Sequence, residues 1–239
     1  MRLVPLPKGF SHTRDALHQI AFFALGPFRY ELEGRMGLRA APGGFGAPES
    51  DGRVARVEGD TLVYEQNDQI ASQTITTVRA AVKFVGLEYQ VNWYEDFHDP
   101  LQPVDPDSPL GVDDTAARAL GQWFNFGFQA LELLRERSEE GDDASEVQLW
   151  PEHFDPATEL GNEEKGQRAS YGASPGDGSH DEPYLYVAAW GVVDRTNPYW
   201  NDESFAGSSF GYSALAASDD PIKTALEFLL EGYRILNSS

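Results

Sequence analysis

Glu146-Val147-Gln148-Leu149-Trp150, Gln167-Arg168-Ala169-Ser170-Tyr171-Gly172-Ala173 and Tyr184-Leu185-Tyr186-Val187-Ala188-Ala189-Trp190 are three strand-like runs in succession. Each is bounded by turn residues, and no helical pattern separates one from the next. Helices interrupt the strands of this chain only intermittently, which argues against a doubly wound α/β arrangement. The expectation is an α+β fold, with antiparallel sheet segments and about four helices.

The elements on either side are read in the same way. Ahead of these runs, Asp113 or Asp114 caps a long helix whose apolar face includes Ala116, Leu120, Trp123, Phe124, Leu131 and Leu134. It frays into Glu139-Glu140-Gly141-Asp142-Asp143. After them, Asp220-Pro221 is a cap followed by proline at the first helical position, and Ile222, Ala225, Leu226, Leu229 and Tyr233 form the buried face of a last helix. Near the start, a first helix is expected from a Thr13 cap to Gly26-Pro27. Phe28–Glu33 alternates as a strand should, and Val54–Val57 and Thr61–Tyr64 flank a tight turn as a hairpin. Gln73–Val85 returns to helical spacing, with Gly86 as its stop. Residues 88–112 are rich in Pro and Asp. The whole chain, 1–239, is read as one α+β domain, a form that allows two lobes, 1–87 and 113–239, joined by this connector.

Composition narrows the chemistry. The 239 residues include no cysteine, which excludes disulfides, thiolate zinc sites and cysteine nucleophiles. Net charge is −21, with eight Arg/Lys against seven Asp/Glu in residues 1–60 and ten against thirty-two in residues 61–239. Such a surface repels a phosphate backbone, so neither nucleic acid nor an anionic membrane is expected as a partner. No apolar run reaches the roughly 18 residues of a membrane span, and no signal-peptide pattern opens the chain. A cytoplasmic chain is expected, and its oligomeric state is not readable.

Two loops concentrate the distinctive side chains. Trp150-Pro151-Glu152-His153-Phe154-Asp155 places a histidine two residues before a carboxylate. Ser174-Pro175-Gly176-Asp177-Gly178-Ser179-His180-Asp181-Glu182-Pro183-Tyr184 sets another among several. His153, Asp155, Asp177, His180 and Glu182 form a donor set suited to a divalent metal such as Zn, Mn or Fe, or to metal-free acid–base work. The spacing matches no established metal motif, and Asp155-Pro156 and Asp177-Gly178 are also good turn formers, which offers a purely structural account. A third feature is aromatic: Trp190, Tyr199 and Trp200 lie among Asn, Asp and Glu, as rings that stack on a sugar or another small polar ligand would. Aromatics in such numbers also build cores. Pro42-Gly43-Gly44-Phe45-Gly46 lacks the spacing of a phosphate-binding fingerprint and reads as a structural loop. His12, His18 and His98 carry no site signal.

Gly34-Arg35-Met36-Gly37-Leu38-Arg39, Pro42-Gly43-Gly44-Phe45-Gly46, Gln148-Leu149-Trp150-Pro151-Glu152-His153-Phe154-Asp155 and Tyr171-Gly172-Ala173-Ser174-Pro175-Gly176-Asp177 occur together here. The combination resembles a family of bacterial proteins, common in actinobacteria, to which no activity is assigned. The resemblance implies a cytoplasmic bacterial protein and transfers no mechanism. The functional expectation is a protein that binds a small polar ligand or divalent cation at the His153 and His180 loops. The alternatives are a metal-dependent hydrolase using the same residues and a noncatalytic interaction protein.

Overall fold

The computed structural model describes residues 2–93 and 101–238. It has an α+β fold with two antiparallel five-stranded sheets, ordered β1-β2-β3-β4-β5 and β10-β9-β8-β7-β6. The first contains β1 (Arg39–Ala41), β2 (Gly44–Gly46), β3 (Arg53–Glu58), β4 (Thr61–Gln66) and β5 (Gln69–Thr74). The second contains β6 (Gln148–Trp150), β7 (Asp155–Leu160), β8 (Ala169–Ser174), β9 (Tyr184–Ala189) and β10 (Gly207–Gly211). The helices are α1 (Phe10–Ile20), α2 (Gly26–Glu33), α3 (Val78–Phe84), α4 (Asp114–Arg135), α5 (Tyr212–Ala216) and α6 (Pro221–Asn237).

Two compact units emerge. One comprises Leu6–Phe124 with Leu149–Phe154, and the other Met1–Pro5, Asn125–Gln148 and Asp155–Ser239. The division falls within α4 after Phe124, whereas the sequence pointed to residues 88–112 as a junction. Of that connector, residues 94–100 lie outside the described part, and with them His98. Its later portion holds to α3: Arg79 N–H donates to Pro106 O at 2.9 Å, and the Arg79 guanidinium grips Asp107 at 2.7 and 2.9 Å.

In the first unit, α1 and α2 form a single rod. A π-helical turn over Ala21–Leu25 joins them, with Gly26 N–H bonded to Ala21 O. Gly26-Pro27 therefore does not end the helix, and Phe28–Glu33 is helical where alternation suggested a strand. Proline normally clashes with the carbonyl four residues back; the wider π turn moves that carbonyl aside. Gln73–Val85 also divides differently. Its first residues complete β5, and α3 begins after Thr77, whose side chain accepts from Ala80 N–H at 3.1 Å. Gly86, with φ 84°, is the stop that the sequence implied. Thr13 does not cap α1, which starts at Phe10; its hydroxyl instead accepts from Asp113 N–H at 3.1 Å, just before α4. Asp113 itself caps α4, accepting from Ala116 N–H at 2.9 Å.

The Pro42–Gly46 loop proves to be the β1–β2 hairpin, and its glycines let α4 approach the sheet. A Cβ on Gly121 would lie 2.7 Å from Gly44 Cα and 2.8 Å from Gly44 N. Alanine at an ordinary helix interior is worth up to about 1 kcal/mol over glycine. Here backbone blocks the methyl, so Gly121→Ala is expected to cost about 1–3 kcal/mol. Urea unfolding of that variant checks it, and a rise in stability would disprove the close contact.

In the second unit, β7 to β10 form a meander with β8 and β9 paired over their full length. Phe126, Leu131, Tyr171, Leu185, Val187 and Leu229 are fully buried in this unit. Gly172 pairs with Tyr186 across β8–β9, and a Cβ there would run into the Tyr186 ring. The ring therefore lies flat across the glycine. The last helix begins as its sequence signals, with Asp220 accepting from Lys223 N–H.

The sheet edges are treated unequally. Along β10, the Asn201 amide accepts from Ser209 N–H at 2.9 Å and donates to Ser209 O at 3.2 Å. That side chain pairs with the edge as a neighbouring strand would. β1 and β6 are three residues long. β5 has six residues, and five of them are exposed.

Candidate functional site

His18, which carried no sequence signal, organises the Trp150–Phe154 loop. Its Nε2 lies 3.0 Å from Pro151 O and 3.1 Å from Glu152 O, so the neutral ring carries its proton there and donates to both carbonyls. Only part of the ring reaches solvent, and burial pulls its pKa from 6.5 down to about 4 despite those two bonds. The imidazole stacks on Phe154 at 5.0 Å. Phe154 in turn meets Phe45 and Phe124 edge-on at 5.1 and 5.0 Å. It does so with φ 57°, a left-handed conformation rare for a bulky residue. The motif thus delivers an aromatic plug, and His153, next to it, is exposed.

His153 belongs to the first unit, while Asp155, Asp177, His180 and Glu182 belong to the second. Asp155 is buried at the start of β7, where it accepts the Tyr186 hydroxyl at 2.6 Å. Glu182 faces the amino end of α5 and accepts from the N–H and hydroxyl of Ser213. Each of these carboxylates has a structural bond.

Asp177 and His180 do come together, and they recruit Asp202 and Tyr184. Asp177 Oδ1 accepts from the N–H groups of Ser179 and His180 at 2.7 and 2.9 Å, which closes the turn. Its Oδ2 accepts the Tyr184 hydroxyl at 2.6 Å, and the Tyr184 ring stacks on the imidazole at 4.1 Å. His180 Nδ1 lies 3.3 Å from Asp177 Oδ1, and Nε2 lies 2.9 Å from Asp202 Oδ2. The shorter contact makes Nε2 the better placed of the two to donate, and the imidazole as a whole is held between two carboxylates.

Burial pushes the Asp202 carboxyl up, but bonds from Ser204, Ser209 and His180 outweigh it and hold the group down to about 2. A metal or a general base needs a ring nitrogen lone pair, and both nitrogens here face carboxylates. Among the described residues, no group of three or more His, Asp or Glu side chains is arranged to hold a metal ion.

The aromatic candidates also divide. Trp200 is buried, and Tyr199 packs edge-on against it at 4.9 Å with its hydroxyl donated to Phe228 O in α6. Both are packing groups. Trp190 is half exposed; its indole N–H donates to Ser170 Oγ at 3.0 Å, and the Arg168 guanidinium lies 5.0 Å from its ring centre.

The second unit has a polar cleft of about 480 Å³ that neither loop contributes to. Three remote segments build it: the turn after α4, the β7–β8 turn, and the last turns of α6. Asp142, buried at its base, accepts from Glu139 N–H and the Tyr233 hydroxyl, both at 2.6 Å. Its own carbonyl accepts from Gly161 N–H at 2.7 Å. Asn162, Gln167 and Asn237 bring amides to the walls, and Lys165 and Arg234 offset Glu139 and Glu140 at the rim. Burial, reinforced by the bond to Asp142, holds the Tyr233 phenol well above its ordinary pKa. Nearby, the Tyr171 hydroxyl is fully buried without a hydrogen-bond partner, and burial followed by the proximity of Tyr233 and Asp142 raises its pKa as well.

Among the described residues, no helix is long and apolar enough to cross a membrane. No family model matches the chain, and no curated protein or solved structure is detectably similar to it.

Proposed function

We propose that this chain binds a small, neutral, polyhydroxylated molecule in the cleft between Asp142, Asn162 and Asn237. The observation that carries this reading is a preformed concavity of about 480 Å³ walled by amides, with a buried carboxylate at its base. That volume falls in the ordinary range for small-ligand pockets. Amide groups both donate and accept, as hydroxyls do, and the Tyr233 ring gives a sugar face something to lie on. Acids and bases share the rim, which favours a neutral ligand over an ion. Binding without turnover fits the bond between Tyr233 and Asp142, which ties the carboxylate at the base of the cleft to a phenol instead of leaving it facing a ligand.

A thermal-shift screen of neutral sugars and polyols tests this. At a hundredfold excess over its dissociation constant, a ligand specific for the folded state adds about 2.7 kcal/mol. For a chain of this size that corresponds to a rise of roughly 5–11 °C. The rise is expected in the wild type and absent from an Asn162→Ala/Asn237→Ala double variant. A wild type that responds to no sugar or polyol, or a double variant that responds fully, rejects the cleft. Zn²⁺, Mn²⁺ and Fe²⁺ in the same screen, read against His180→Ala, test the divalent-cation alternative, in which Asp177 must first release Nδ1.

A further inference from the structure

We infer that β5 is a dimerisation edge, on which a second copy of this chain adds its own β5 antiparallel to form one continuous ten-stranded sheet. β4 and β5 pair with Gln66 opposite Gln69 across the Asn67-Asp68 turn, and Ile75 N–H continues the ladder by donating to Asp60 O at 2.9 Å. Antiparallel strands alternate between residues bonded inward and residues whose backbone groups face away. That alternation turns Gln69, Ala71 and Gln73 toward β4. It points the N–H and C=O of Ile70, Ser72 and Thr74 outward, with no strand beyond them in the sheet among the described residues.

Exposed edges of this kind are usually blunted by charge, proline, a bulge or brevity. The chain uses such devices elsewhere, through the Asn201 amide on β10 and the shortness of β1 and β6. β5 has none of them. From Gln69 to Thr77 the sequence reads Gln-Ile-Ala-Ser-Gln-Thr-Ile-Thr-Thr, without one charged residue. In a chain of net charge −21, two copies approach most easily where carboxylates are absent.

The occupant follows from the side chains. An added foreign peptide gains its specificity from pockets that receive alternate side chains. β5 presents Gln69, Ala71 and Gln73 alternating with Ile70, Ser72 and Thr74, five of the six exposed, with no large aromatic or charged side chain to select a foreign sequence. An identical strand needs no such selection, because a twofold axis through Ser72 brings every residue to a fixed partner. Ser72 then faces Ser72 of the second copy, and Ile70 faces Thr74. About six backbone hydrogen bonds form, two at each outward-facing pair. Ile70, 69% exposed in the single chain, is covered by the threonine.

The absence of native cysteine makes the register directly readable. Across the twofold, the two Ser72 Cα atoms would be about 5.5 Å apart, within the disulfide range of about 4.4–6.8 Å. The two Ile70 Cα atoms would be separated by more than about 13 Å along the strands. Ser72→Cys is therefore expected to give a covalent dimer on mild oxidation, and Ile70→Cys is not. Light scattering across a concentration series is expected to show the wild type at twice the chain mass and Ser72→Lys at the single mass. An unchanged melting transition in dilute Ser72→Lys separates loss of the dimer from loss of the fold. A wild type that stays monomeric throughout overturns the proposal. So does a dimer that survives Ser72→Lys, or crosslinking through position 70 in place of 72.

Discussion

Phe154→Ala is expected to lower the free energy of unfolding by about 3–5 kcal/mol, the usual cost of emptying a fully packed phenylalanine site. The ring contacts Phe45, Phe124 and His18 at once, and aromatic pairs add about 0.5–1.5 kcal/mol each beyond their buried area. The backbone makes a second, sharper expectation. Alanine keeps the left-handed φ of 57° and its penalty of about 1–2 kcal/mol, whereas glycine does not. Phe154→Gly should therefore be no less stable than Phe154→Ala, the reverse of the usual order. Urea unfolding of both variants decides this. A loss below about 1 kcal/mol for alanine would mean that the aromatic cluster closes without its plug.

The second large effect is expected in acid. His18 titrates near 4 in the folded chain and near 6.5 when unfolded, so between those values the unfolded chain binds the extra proton. Stability is thus unaffected by this group above about pH 6.5. It falls as pH drops toward 4, by about 3 kcal/mol in all at 1.36 kcal/mol per unit. Asp202 adds a later loss. Its folded pKa of about 2 lies below the ordinary 3.8, so the stability it contributes above that value, about 2 kcal/mol, disappears as pH falls from about 4 to 2. His18→Gln keeps an N–H donor but does not titrate, and it should flatten the upper step only. Denaturant midpoints at half-unit intervals of pH read both steps. If wild type and His18→Gln run parallel between 6.5 and 4, the buried neutral histidine is not the cause.

The parts of the fold written in local chemistry were legible. Asp113 and the Asp220-Pro221 pair announce α4 and α6, and the hairpin of β3 and β4 follows from its alternation around Gly59-Asp60. Errors arose where distant partners override local pattern. Phe28–Glu33 alternates as a strand does, yet a π turn carries the preceding helix through Pro27. Asp155–Leu160 and Gly207–Gly211 became strands because neighbouring strands hold them; glycine, serine, alanine and aspartate predict none.

The candidate site divides on the same principle. Asp177 and His180 are three residues apart and could be paired by inspection, whereas Asp202 joins them from 22 residues away. The cleft was less visible still. Glu139–Asp143 has the composition of a frayed helix end, and nothing local marks Asp142 for burial. Its partner Tyr233, 91 residues on, reads simply as one more position on an apolar helix face.

Asn201 meets evolution on unusual terms for a residue in a surface loop. Its amide must supply an acceptor and a donor a fixed distance apart, because Ser209 presents an N–H and a carbonyl together. Aspartate keeps the acceptor but sets a negative charge against the carbonyl. Serine is too short to reach both groups, and glutamine is a methylene too long. Drift at this position is therefore expected to be confined almost to asparagine, although the residue is exposed. What selection would be preserving is the end of a sheet.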